Sequence, residues 1–328
     1  MILPEGLRPS DSSTRSLARR FAGALRSRGS LARSLAAPVR YGSAHVKLTT
    51  LVDAPTLFAR LADESLRIVD CRFLLNDPAW GENAYSASHI PGAVYASLKR
   101  DLAGRPTGTN GRHPLPPVEE LRRTFGRLGI DQHRQVVAYD QDTGMYASRF
   151  WWLLRWLGHD AVAVLDGGFA GWIAAGFGVS SSPAAVDPVE FLGTPRPDFA
   201  VDVDEVARAV ERGDRRLLDA RAPERFDGVV EPIDRAAGHI PGARNYFFMR
   251  SVDDRGRFLP AAALRAQITS ALDGVDPDKT IVYCGSGVTA AHNLLAMEHA
   301  GLAGAKLYPG SWSEWSSDEK RATAKRDA

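Results

Sequence analysis

The stretch His89-Ile90-Pro91-Gly92-Ala93 returns as His239-Ile240-Pro241-Gly242-Ala243, and this second occurrence decides how the chain is read. Self-similarity of this kind marks a repeated structural unit. Each copy follows an apolar run that ends in an acid and an arginine, Leu66-Arg67-Ile68-Val69-Asp70-Cys71-Arg72 and Leu217-Leu218-Asp219-Ala220-Arg221. From that acid to the histidine the separations are 19 and 20 residues, so the halves are in register. Further out, Gln135-Val136-Val137-Ala138-Tyr139-Asp140 matches Thr280-Ile281-Val282-Tyr283-Cys284, each a short β-branched strand running into a Gly-containing turn. Apolar helix-like stretches follow at 147–158 and 290–301. Each half then closes on a Gly- and Trp-rich turn, Asp166-Gly167-Gly168-Phe169-Ala170-Gly171-Trp172 against Pro309-Gly310-Ser311-Trp312-Ser313-Glu314-Trp315. Strands alternating with helices predict an α/β fold of parallel sheets covered on both faces.

A length of 328 residues agrees with two domains. They are expected over 46–176 and 202–318, with a linker over 177–201 carrying Ser180-Ser181-Ser182-Pro183 and Pro195-Arg196-Pro197, and a tail over 319–328. A formal charge of +2 gives no general attraction to nucleic acid or to an acidic membrane. It hides an asymmetry: residues 1–45 hold eight arginines against Glu5 and Asp11, leaving 41 − 8 = 33 basic and 39 − 2 = 37 acidic side chains elsewhere. That segment reads as a disordered basic extension, with a transit-type targeting presequence as the alternative. No secretory core and no run of about 18 apolar residues is present. Two cysteines, Cys71 and Cys284, cannot build a disulfide framework or a Cys-based zinc site, which points to a reduced, cytoplasmic setting. Neither a metal cluster nor a nucleotide fingerprint is visible, so the expected chemistry needs no metal and no cofactor. Without coiled-coil heptads, a monomer is the simplest expectation.

Aligning the halves sets Asp140 against Cys284, so one half presents a thiol at the strand-to-helix turn and the other does not. In Cys284-Gly285-Ser286-Gly287-Val288-Thr289 the glycines let the backbone curl with its N–H groups inward, beside the positive end of the next helix. A thiolate is stabilised in such a loop, and the thiolate is the nucleophilic form. Cys71, inside an apolar strand, reads as core. His89 and His239 belong to the tetrapeptide of both halves, including the one without a thiol, and so read as turn or packing residues.

These residues together resemble the tandem rhodaneses, over roughly 270 residues: the repeated Asp-x-Arg and His-Ile-Pro-Gly-Ala framework, the loop Cys284–Thr289, and Gly310-Ser311-Trp312-Ser313-Glu314-Trp315. The resemblance implies two rhodanese-like domains, the second catalytic, and a persulfide carried on Cys284. Loops with Gly-Ser after the cysteine, as Gly285-Ser286 here, occur in 3-mercaptopyruvate sulfurtransferases, whereas Arg-Lys occurs in thiosulfate sulfurtransferases. It further implies a relay of Ser286, His113 and an aspartate, with Asp101 standing in because Lys99 occupies the family position. Arg225 is expected to grip the substrate carboxylate, with Arg235 as a second arginine. Gly285, Gly287, Val288 and Thr289 are expected to line the substrate. The implied partners are a small sulfur donor and a thiol acceptor, a thioredoxin-like protein among the candidates, or cyanide.

Three other functions compete. Thiosulfate sulfurtransferase is the runner-up, and a rhodanese-like binding module without catalysis is the third reading, opposed by the retained Cys284. A cysteine phosphatase needs an arginine six positions after its nucleophile to hold phosphate, where this chain has Ala290.

Overall fold

The computed structural model describes residues 47–326; the extension expected over 1–45 lies outside the described residues. Five strands, β1 (Leu51–Val52), β2 (Leu66–Asp70), β3 (Ala93–Tyr95), β4 (Gln135–Tyr139) and β5 (Val162–Leu165), form a parallel sheet in the order β1-β5-β4-β2-β3. Four more, β6 (Arg216–Asp219), β7 (Arg244–Asn245), β8 (Thr280–Tyr283) and β9 (Lys306–Leu307), form a second parallel sheet in the order β7-β6-β8-β9. The predicted α/β class with parallel sheets is what the chain adopts.

Successive side chains of a strand point to opposite faces, and here both faces are buried. From β4 and β5, Val136, Ala138, Val162 and Val164 enter one apolar cluster, while Val137, Tyr139, Ala163 and Leu165 enter another with Leu57 and Trp172. That is why these strands read as continuous apolar runs rather than alternating ones. In the second sheet Leu217, Ile281 and Tyr283 face Val206, Trp312 and Trp315.

The first cluster continues across both halves. Helix Met145–Trp156 contributes Phe150, Trp151 and Leu154, and helix Thr289–His299 contributes Ala291, Leu294 and Leu295 to the same apolar interior. Both helices start slightly earlier than the apolar stretches suggest, because the turns before them wind directly into the first helical residue, Gly144 doing so at φ 81°. An Arg155–Glu298 ion pair at 3.5 Å and a His292 Nε2 contact to the Thr143 carbonyl at 3.0 Å join the two helices' surroundings. The segment expected as a linker lies against the first half: Val189 N–H donates to the Gly126 carbonyl at 3.0 Å, and Phe191 is buried.

The duplicated motifs make duplicated clamps. Arg72 donates to Asp70 at 2.7 Å and to the Ser88 carbonyl at 2.6 Å; Arg221 donates to Asp219 at 2.6 Å and to the Gly238 carbonyl at 2.7 Å. Each arginine thus ties a strand end to the residue just before His-Ile-Pro-Gly. Each guanidinium lies over an aromatic face, Phe169 at 4.2 Å and Trp312 at 4.7 Å. His89 and His239 stack on Tyr85 and Phe226 and bond the carbonyls of those same residues, which gives both histidines a packing role.

Asp70→Ala would leave the Arg72 guanidinium buried and short of its carboxylate. We expect a loss of about 3–5 kcal/mol of unfolding free energy in urea; a loss below about 1 kcal/mol would show that the clamp is incidental.

Candidate active site

At the C-terminal end of β8 the chain enters the loop Cys284–Thr289. Cys284 Sγ accepts hydrogen bonds from the amides of Ser286 at 3.4 Å and Gly287 at 3.1 Å. Gly287 needs its freedom: it sits at φ +77°, and a Cβ there would stand 2.6 Å from the Pro309 carbonyl oxygen. The terminal motif secures the loop from outside. Trp312 N–H donates to the Cys284 carbonyl at 2.9 Å, Ser313 N–H to the Gly285 carbonyl at 3.0 Å, and Cys284 N–H to Ser311 Oγ at 3.1 Å.

Two opposed effects act on the thiol. Burial pushes it up, but the Thr289 hydroxyl and the Ser286 and Ala290 amides favour the anion, and the balance holds Cys284 below the ordinary thiol value. Cys71 has no such donors, and burial beside Asp70 and Asp140 pushes it well above.

Asp140 occupies the matching position in the first half. One carboxylate oxygen accepts from the amides of Asp142 at 3.2 Å and Gly144 at 2.9 Å, the other from Tyr146 at 2.7 Å and Ala147 at 3.3 Å. Burial nevertheless raises it to about 6. Both halves therefore build an inward ring of amides, one around a carboxylate and one around sulfur.

Cys284 opens onto a cavity of about 280 Å³ lined by Arg112, His113, Arg225, Gly285, Ser286, Val288 and Thr289, among others. A larger cavity of about 510 Å³, beside Trp151, Phe199 and Met297, has no cysteine in its lining. His113 and Ser286 meet across the halves, Ser286 Oγ lying 2.8 Å from His113 Nδ1. Burial, and then Arg149 and Arg112, lower His113 to about 3, so the ring is neutral at physiological pH, and in the tautomer with its proton on Nε2 the Nδ1 atom accepts from the Ser286 hydroxyl.

The expected third relay member does not join them. Ser97 caps the short helix Leu98–Asp101, and Asp101 folds back to accept from the Ser97 amide at 2.8 Å and from Arg127 at 2.6 Å. Its carboxylate serves that turn, and Lys99 is exposed. Arg235 also lies elsewhere: it pairs with Glu319 on the surface, its side chain half exposed, and does not line the cavity. Besides Arg225 the cavity is lined by Arg112, beside His113 in sequence, and by Arg221, which Asp219 and Glu231 hold. Arg225 is in place, 3.5 Å from where a Cβ on Gly285 would stand.

Arg149 carried no signal in the sequence. Fully buried on helix Met145–Trp156, it donates to the Gly287 carbonyl at 3.2 Å and the His113 carbonyl at 3.1 Å. One cation of the first half thus fixes both the thiol loop and the histidine. Burial lowers it to about 10, against the pull of the Cys284 sulfur, which leaves it charged.

The Rhodanese-like domain family matches the chain twice, at residues 53–175 and 202–318. A Pseudomonas aeruginosa protein provisionally named 3-mercaptopyruvate sulfurtransferase is 45% identical over 279 residues, 84% of this chain and 98% of that protein. A Mycobacterium tuberculosis protein provisionally named thiosulfate sulfurtransferase SseB is 39% identical over 277 residues, covering 81% and 93%. Among solved structures, SseA of Escherichia coli, described as a 3-mercaptopyruvate sulfotransferase, superposes with a TM-score of 0.71 at 32% identity, covering 81% of this chain and all of SseA, 100%.

Thr289→Val removes a donor to the sulfur and keeps the side-chain shape. The midpoint of the pH profile for iodoacetamide alkylation of Cys284 should rise by about one pH unit. An unmoved midpoint would mean that the amides alone hold the anion.

Proposed function

The chain belongs to the rhodanese family and is a sulfurtransferase; from that premise we propose that it takes sulfur from 3-mercaptopyruvate onto Cys284 and passes it to a thiol acceptor or cyanide. The half over 202–318 carries the nucleophile, and the half over 46–176 lends Arg112, His113 and Arg149. One observation carries the reading: a sulfur ringed by amides faces a cavity where Ser286, in contact with His113, and the guanidiniums of Arg112 and Arg225 converge.

In the first step the Cys284 thiolate attacks the sulfur of mercaptopyruvate. A sulfur–sulfur bond forms, the carbon–sulfur bond breaks, and its electron pair leaves on the enolate of pyruvate. Neutral His113 holds Ser286 so that the hydroxyl accepts the proton of the new persulfide and donates one to the enolate carbon. Pyruvate departs, and the persulfide remains as an anion where the thiolate was. In the second step the acceptor attacks the outer sulfur, and the Cys284 thiolate leaves.

Arg225 and Arg112 face the cavity over Gly285, where a planar fork of donors suits the pyruvate carboxylate. Gly285 is part of the case for this donor. A Cβ there would stand 2.7 Å from Arg112 Nη2, so a long basic side chain after the cysteine would push Arg112 aside. Among the described residues no helix is long and apolar enough to cross a membrane, and a reduced compartment such as the cytoplasm keeps Cys284 free for the reaction.

Incubation with 3-mercaptopyruvate should add the mass of one sulfur to the protein, the addition should vanish in Cys284→Ser, and pyruvate should be released in equal amount. In Ser286→Ala we expect pyruvate release slowed by about a hundredfold with the alkylation rate of Cys284 little changed. Sulfur uptake from thiosulfate but not from mercaptopyruvate would overturn the donor assignment.

A further inference from the structure

Neither arginine waits at the cavity as a free cation. Arg112 is paired with Asp234, and Arg225 donates to Asp234 at 2.9 Å and to Glu231 at 2.7 Å. Glu231 also accepts from Arg221 at 3.3 Å, and Arg221 from there joins Asp219 at 2.6 Å. Asp219, Arg221, Glu231, Arg225, Asp234 and Arg112 thus form an alternating row of charges, three of each sign, from a strand end to the reacting sulfur. Net charge along the row is zero.

The two carboxylates at its end differ in what they do for the backbone. Glu231 accepts from the Ile233 and Asp234 amides at 3.2 and 3.0 Å, and so shapes its own turn. Asp234, its side chain 3% exposed, accepts from the two guanidiniums alone among the described residues. A carboxylate held out of water with no backbone partner acts here only on the charge of the two arginines that face the donor.

We infer that Asp234 sets the donor selectivity of the site, by cancelling enough positive charge over Cys284 to admit a singly charged α-keto thiol acid and turn away a doubly charged sulfur donor of the thiosulfate kind. This rests on the sulfurtransferase reading above. Attraction to a fixed positive field grows in proportion to ligand charge, whereas the cost of taking the ligand out of water grows with its square. A weak field therefore favours the monoanion, and a strong one is needed for the dianion. Loop residues 285–289 supply no cation of their own and Arg221 is held by Asp219 and Glu231, so the pairing state of Arg112 and Arg225, with buried Arg149 beneath, governs that field. Selectivity through a charge that opposes the wrong ligand is a recurrent device.

The test is Asp234→Asn, with Asp234→Glu as the charge-keeping control. In Asp234→Asn, kcat/KM should rise roughly tenfold for mercaptopyruvate and roughly a hundredfold for thiosulfate, through KM, so that the ratio shifts about tenfold. Asp234→Glu should return the ratio toward that of the unaltered protein. A ratio unchanged in Asp234→Asn, or equal losses of kcat for both donors, overturns the inference. Calorimetric titration with pyruvate and with sulfate separates this failure from that of the donor assignment, since it requires no turnover. Asp234→Asn should gain more affinity for sulfate than for pyruvate, and equal gains overturn the role of Asp234 even if neither donor is turned over.

Discussion

An anion held by inward-facing amides at the end of a parallel strand is the interaction on which the rest of this structure depends. Backbone N–H groups turned into one small space repel one another and lose their water, so the loop needs a negative group at its centre. The first half meets that need with the Asp140 carboxylate, bound by four amides although burial raises it to about 6. The second half meets it with sulfur, which burial would also push up and which the Thr289 hydroxyl and the amides bring below its ordinary value. A carboxylate satisfies the ring permanently. A thiolate satisfies it and can leave to react.

The half without a nucleophile is not an idle copy. Because helices Met145–Trp156 and Thr289–His299 share one apolar interior, a side chain from the first reaches the loop that the second begins. Arg149 uses that proximity, bonding carbonyls on both sides of the cavity while fully buried. Such a cation is tolerated because carbonyl oxygens surround it and the Cys284 sulfur lies near. The first half, with a carboxylate in place of the thiol, thus furnishes groups that position the nucleophile of the second.

Much of this was legible in the sequence, and the reasons are local. A repeated tetrapeptide with strands on either side specifies repeated strand-turn units, and both sheets are parallel, as the alternation predicts. Cys284 was legible because its flanking glycines have only a backbone purpose, and the meeting of Ser286 with His113, implied by family resemblance, occurs at 2.8 Å. Asp101 and Arg235 lie away from the cavity for a common reason: spacing from a motif does not set side-chain direction in a short turn, which caps and salt partners decide. Ser97 and Arg127 claim the first, Glu319 the second. Arg149 was hidden inside an apolar helical stretch, where a single arginine reads as a solvent-facing residue until tertiary packing shows otherwise.

The electrostatics of the relay limit what it does. A histidine at about 3 is a poor base, so His113 does not strip a proton from Ser286 before the reaction begins. Burial keeps it neutral, and the guanidiniums of Arg149 and Arg112 add to the effect. Yet the same cations favour negative charge on the Cys284 sulfur and, in the proposed transfer, on a departing enolate. A protonated histidine beside Cys284 would compete for the thiolate as a partner, whereas a neutral one leaves the sulfur to the amide ring and aims the Ser286 hydroxyl through the contact at Nδ1. In the proposed transfer the proton reaching the enolate carbon has its source in the donor's own thiol, and Ser286 is the group we assign to move it.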